Sequence, residues 1–155
     1  MNNLRVKILK NGFGLPLPKY ESDGAAGIDL LAAIDEKKRV KILPGRAEMI
    51  PTGIAIALPI DFEAQIRPRS GLAAKHGITI LNSPGTIDSD YRGEISAMLI
   101  NHSKINFEIE RGMRIAQMVI SPVVQFNLIE IQNLDETERG GGGFGSTGIR
   151  EDDKK

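Results

Sequence analysis

The chain contains no cysteine. That absence excludes disulfides, thiolate metal sites and a cysteine nucleophile. Histidine occurs only at His76 and His102, too few and too scattered for a zinc centre. Aromatic residues are 5% of the chain, against a hydrophobic share of 41%. The chain can therefore bury a core, but that core has to be built from Ile, Leu, Val, Ala and Met. There is no excess of either charge: Lys+Arg and Asp+Glu both total 20. A general nucleic-acid binder carries a basic surplus, so no nucleic-acid partner is expected. Any phosphate binding has to come from a few placed residues. No apolar run approaches the roughly 20 residues of a membrane span. The first residues, MNNLRVKILKNG, lack the apolar run of a secretory signal. A soluble cytoplasmic protein with no membrane partner is the expectation.

What is present is a series of short β-like runs separated by Gly, Pro, Asn and Asp. Strands are expected over 4–9, 28–33, 39–43, 48–58, 62–67 and 78–81, then over 94–101, 106–110, 114–124 and 126–131. Period-2 alternation is plain in FEAQIR, where Phe62, Ala64 and Ile66 share one face and Glu63, Gln65 and Arg67 the other. Many short strands spaced by turns point to an all-β sandwich or barrel. One segment departs from this: SGLAAKHG offers Ser70 as an N-cap and Gly77 at the end of a short helix. Length predicts one domain, a β-rich core over 1–134. From about Asp135 apolar periodicity stops, and 135–155 reads as a tail that is disordered in isolation. Prolines within apparent strands imply edges or bulges, and self-association would cover such edges.

Five stretches carry candidate chemistry. In LNSPGTIDSDYRGE, Pro84-Gly85 signals a hairpin, followed by Asp88, Asp90, Tyr91, Arg92 and Glu94. Turn-forming acids on a solvated loop would look like this. So would a general-base Asp88 at a strand end, beside a hairpin that offers backbone groups to a small planar ligand. In RPRSGLAAKHG, Arg69, Ser70 and Gly71 open the helix, which suits either an ordinary cap or an anion site. Gln117 interrupts an apolar strand and either points outward or faces a site. Asp29, flanked by apolar residues, needs a partner, most simply an arginine. The tail motif RGGGGFGSTG resembles a phosphate loop but lacks the lysine of the P-loop and any surrounding βα unit. Ser70 near His76 has no nucleophile-elbow context.

Taken in their order along the chain, the five stretches resemble the trimeric dUTPase family from about residue 20 to residue 148. Met113 and Ile28 depart from the family's usual residues at positions that carry no chemistry. The resemblance implies a jelly-roll-like β-clip subunit with one short helix near 71–76. It implies a homotrimer whose three active sites are shared between subunits. It implies Mg²⁺-assisted hydrolysis of dUTP to dUMP and pyrophosphate, with the ion held by phosphates and water rather than by side chains. Asp88 would activate the water and Tyr91 would pack on the deoxyribose. Asn82, Gly85, Thr86 and Ile87 would read the uracil, with Ser96 in a further backbone contact. Arg69, Ser70, Gly71 and Gln117 would hold phosphates, and Asp29 would support them from behind. In the tail, Arg139, Ser146 and Thr147 would reach the terminal phosphates. Phe144 would stack on the base, and Gly145 would let the backbone pass close. The alternatives are a dCTP deaminase of the same superfamily and a non-catalytic nucleotide sensor or trimeric interaction protein.

Overall fold

The computed structural model describes residues 3–143. Among them the chain forms β1 (Arg5–Ile8), a 3-10 turn (Lys10–Gly12), β2 (Ile28–Leu31), β3 (Val40–Ile42), β4 (Ala47–Pro51), β5 (Ile54–Ala57) and β6 (Phe62–Arg67). Then follow α1 (Ser70–His76), β7 (Ile78–Ile80), β8 (Gly85–Ile87), β9 (Ser96–Asn101), β10 (Phe107–Ile109) and β11 (Arg114–Pro122). The chain divides into two units, Met1–Val124 and Gln125–Lys155. All the strands and the helix lie in the first, so the all-β expectation with one short helix holds.

The strands form where alternation lets one face be buried. In β6, Ala64 and Ile66 face the core at 0% and 2% exposure. On its other face, Arg67 Nε donates to Gln65 Oε1 at 3.0 Å and Gln65 Nε2 donates to Glu63 Oε1 at 2.5 Å. In β9, Ala97, Leu99 and Asn101 are buried while Ser96, Met98 and Ile100 face outward. β2, β11, β6 and β8 make a four-stranded sheet in that spatial order; β4, β9 and β7 make a three-stranded one. Two pairs, β1 with β5 and β10 with β3, complete the layers. Their inner faces meet in an aliphatic core that includes Leu30, Ile42, Ile50, Ile66, Ile95, Leu99, Ile115 and Met118. Each such side chain contributes about 1.5–3 kcal/mol of burial free energy. Asn101 is fully buried among them, and its amide is satisfied. Nδ2 donates to the Ile42 and Ile105 carbonyls (2.9 and 2.8 Å), and Oδ1 accepts from the Ser103 amide and hydroxyl (2.9 and 2.7 Å).

Four expectations change. The run 48–58 is two strands, because Gly53 takes φ +71° and breaks the ladder. A Cβ on Gly53 or on Gly12 would strike the backbone of the other, and Leu9 N–H donates to Gly53 O at 2.8 Å. The stretch around Pro84-Gly85 is not a two-stranded hairpin: β7 pairs with β9, and β8 pairs with β6. Residues 81–84 instead carry the chain from one sheet to the other. Gly85, opposite Ile66, leaves room for Asn82, whose Nδ2 would lie 3.1 Å from a Cβ there. Ser70 is the first helical residue rather than the cap; Arg69 holds the cap position, without a side-chain capping bond. Gly77 ends the helix as expected, at φ +66° with its N–H on Ala73 O at 3.0 Å. Finally, 126–131 forms no strand. Its residues pair with none among the described residues, and Phe126 and Leu128 are 81% and 98% exposed. No helix among the described residues is long and apolar enough to cross a membrane.

Candidate active site

The expected site residues fall into two clusters. The first is an open cavity of about 340 Å³ beside β8 and β9. It collects Asn82, Thr86, Ile87, Asp88, Tyr91 and Ser96, every one of them picked out in the sequence. Asp88 follows the last residue of β8 and is exposed; its carbonyl accepts the Tyr91 N–H at 3.2 Å, closing a turn. The ladder of β8 on β6 thus aims the carboxylate from a rigid strand end. Tyr91 is held twice. Its hydroxyl donates to Glu94 O at 3.1 Å, and its ring lies over Gly93, where a Cβ would collide with it. Tyr91 is 44% exposed and its ring lines the cavity.

The second cluster sits across β2, β11 and the start of α1. Register places Gln117 opposite Asp29 on one side and Arg67 on the other. Asp29 receives a two-pronged pair from Arg69, Nε to Oδ1 at 2.9 Å and Nη2 to Oδ2 at 3.1 Å. Arg114 Nε stands 3.7 Å from Oδ2, and Arg69 Nη1 donates to Arg114 O at 3.1 Å. The arginine partner that sequence demanded for Asp29 is therefore present, and doubled. A guanidinium carries five N–H donors; three of Arg69's are used here, which leaves two for an anion. Ser70 and Gly71 follow, both exposed. Gln117 Nε2 donates to Pro68 O at 2.9 Å, and its Oε1 occupies the space a Gly27 side chain would need. Gly85 is buried beneath Asn82 rather than on the cavity surface.

Arg139 belongs to the second unit, where its Nε donates to Gly142 O at 2.8 Å in a turn that follows Thr137. Phe144, Gly145, Ser146 and Thr147 lie outside the described residues.

Sequence reasoning missed Met49 and Met98 of the cavity, and it gave no role to Glu94, which ends the polar stretch after the turn. Met49 and Met98 are cross-strand partners of β4 and β9. The signal was available, since Glu94, Ser96 and Met98 share a face by period-2 alternation. Met49 is 62% exposed, an adaptable apolar side chain beside the polar groups. No group of three His, Asp or Glu side chains among the described residues converges to hold a metal ion.

A sequence profile of the dUTPase family matches residues 14–148 of the chain. The deoxyuridine 5'-triphosphate nucleotidohydrolase of Rhizobium johnstonii is 60% identical over 141 residues, covering 91% of this chain and 90% of the relative. The fold is similar to that of the Staphylococcus bacteriophage 80alpha dUTPase solved with dUPNHPP. The TM-score is 0.84 at 27% identity, covering 96% of this chain and all 100% of that one. A mutant of the same phage enzyme solved with dUpNHpp gives the same TM-score of 0.84 at 26% identity.

Proposed function

The chain belongs to the dUTPase family, and from that membership we propose that it is a dUTP diphosphatase, hydrolysing dUTP to dUMP and pyrophosphate. The observation that carries the reading is the cavity beside β8, where Asp88 directly follows a paired strand, next to the fixed ring of Tyr91. Asp88 accepts a proton from water. The water oxygen bonds to the α-phosphorus, and the bond to the bridging oxygen breaks in line, with its electron pair leaving on pyrophosphate. General-base assistance of this kind is worth about 10²–10⁴-fold; positioning and charge stabilisation supply the rest.

Discrimination follows from the cavity walls. The Tyr91 ring meets the deoxyribose and leaves no space for a 2′-hydroxyl. Asn82, Thr86, Ile87 and the backbone near Gly85 and Ser96 pair with the uracil edge. Cytosine would leave those groups unpaired, which costs more than a missing methylene. Arg69, with its remaining N–H donors, and Ser70, Gly71 and Gln117 hold the phosphates. Asp29 keeps Arg69 in place rather than touching substrate. Arg139, Ser146 and Thr147 complete the phosphate site, Phe144 covers the base, and Gly145 allows close approach. In this reading 135–155 closes over a core of 1–134 and excludes water.

The donor set suits Mg²⁺ carried on the substrate. Asp29 already faces two arginines, and the described residues hold no convergent acidic cluster. The ion would neutralise phosphate charge, with water among its ligands.

A homotrimer with shared sites fits two features. The nucleoside cavity contains none of Asp29, Arg69 and Gln117, so one chain presents two part-sites. The segment 126–134 also exposes Phe126, Leu128, Ile129 and Leu134, apolar surface of the kind an interface covers. The activity would lower dUTP and yield dUMP for dTMP synthesis, in the cytoplasm.

The test is incubation with each deoxynucleoside triphosphate and Mg²⁺, with products identified. Pyrophosphate from dUTP alone is expected. Ammonia from dCTP would indicate the deaminase instead, and no turnover at all would favour a nucleotide sensor.

A further inference from the structure

The chain between the turn at Asp88 and the start of β9 lies outside any strand, yet it carries Tyr91 and Glu94 into the cavity wall. Its hold on the rest of the fold comes from the break between β4 and β5. Ile95 N–H donates to Ile54 O at 2.9 Å, and Ile95 O accepts from Thr52 N–H at 3.1 Å and the Thr52 hydroxyl at 2.6 Å. One residue earlier the tether passes to a side chain. Glu94 Oε1 accepts from Gly53 N–H at 2.8 Å and from Asn11 Nδ2 at 2.7 Å. Asn11 is itself fixed within the 3-10 turn. Its Nδ2 also donates to Ala33 O at 3.3 Å, and its carbonyl accepts from Arg111 Nη1 at 2.8 Å. Arg111 is anchored in turn on the Ile34 and Phe13 carbonyls, each at 2.8 Å.

We propose that Glu94 and Asn11 are positioning residues for substrate discrimination. Their bond, with that of Gly53, fixes the Glu94 main chain, whose carbonyl receives the Tyr91 hydroxyl and so sets where the ring stands. The proposal rests on the preceding reading that Tyr91 faces the sugar. Without the Oε1 tether the peptide that carries the Glu94 carbonyl is held only from its Ile95 side, by Ile95 N–H on Ile54 O, and the acceptor that sets the ring's tilt over Gly93 is fixed less tightly. A ring free to tilt admits a 2′-hydroxyl. Neither residue needs to touch the reacting atoms.

The experiment measures kcat/KM for dUTP and for UTP by pyrophosphate release on the same enzyme preparations. A ratio taken on one preparation does not change with the fraction that is folded. Glu94→Ala is expected to narrow the preference for dUTP by about tenfold, through relatively faster UTP cleavage. Glu94→Gln keeps an oxygen for both donors and is expected to hold the preference within about twofold of the parent. Asn11→Ala removes one tether of the two and should narrow the preference by about threefold. It decides the matter if Glu94→Ala does not fold. A folded Asn11→Ala or Glu94→Ala enzyme with unchanged preference, whatever its melting temperature, overturns the proposal. So does equal loss of preference in Glu94→Gln and Glu94→Ala. A parent enzyme that cleaves no dUTP would instead sink the functional reading itself.

Discussion

Replacing Asp29 by Ala removes the one carboxylate that stands between two guanidinium groups. Two short bonds join Asp29 to Arg69, at 2.9 and 3.1 Å. Charged hydrogen bonds are worth about 1.5–3 kcal/mol each when well sheltered. The Arg69 and Asp29 side chains are 29% and 17% exposed, so water and salt reach the pair, and the coupling is reduced to about 1–2 kcal/mol. Loss of Asp29 also leaves Arg69 without its carboxylate beside Arg114, which keeps Glu21 at 3.2 Å, and this brings the single substitution to about 2 kcal/mol. For a chain of this length that is a fall in melting temperature of about 4–8 °C. Arg69→Ala should cost less, because Arg114 Nε remains 3.7 Å from Asp29 Oδ2. The assay is a double-mutant cycle of Asp29→Ala, Arg69→Ala and the pair, melted at one protein concentration, since self-association would make the midpoint depend on it. In dUTP turnover, Asp29→Ala should raise KM more than it lowers kcat, because Arg69 loses its preset orientation. A coupling energy below about 0.5 kcal/mol would refute the argument. So would Arg69→Ala proving the more damaging of the two.

Asp88→Asn is expected to bind dUTP while losing about 10²–10⁴-fold in kcat, measured by pyrophosphate release and by equilibrium binding; undiminished turnover would remove Asp88 from the base role. Deleting 139–155 should leave the elution volume on a sizing column that of the same oligomer, while kcat/KM for dUTP falls by at least about tenfold; dissociation of the oligomer would mark the tail as structural. Asn101→Ala leaves the Ile42 and Ile105 carbonyls and the Ser103 amide without their buried partner, so a loss of about 2–4 kcal/mol is expected in urea unfolding. A loss under about 1 kcal/mol would mean that water enters and replaces the amide.

The order of motifs, the β-rich class and most strand positions are legible in the sequence because they rest on local causes. Alternation in FEAQIR needs only the pleat, and the end at Gly77 needs only a left-handed residue after a helical run. The need of Asp29 for an arginine follows from the cost of a half-buried charge, and chemistry alone narrows the partner to a few residues. What the sequence left open is everything set by partners distant along the chain. Nothing local tells that Thr52-Gly53 breaks a strand, because the break depends on Gly12, whose backbone crosses there. Nothing local tells that β7 and β8 part at Pro84, because each follows the edge it finds, β9 for one and β6 for the other. The same holds for 126–131. It has the pattern of a strand, but a strand exists only as a pair, and the described residues supply no partner edge. Residue type and order determined what chemistry the chain can carry. Tertiary structure decided which of those groups meet: Asp88 with Tyr91 in one cavity, Asp29 with Arg69 and Gln117 elsewhere, and Glu94 tied to Asn11. Contacts between segments 40 to 83 residues apart are fixed by ladder register and backbone crossings, which no single stretch encodes.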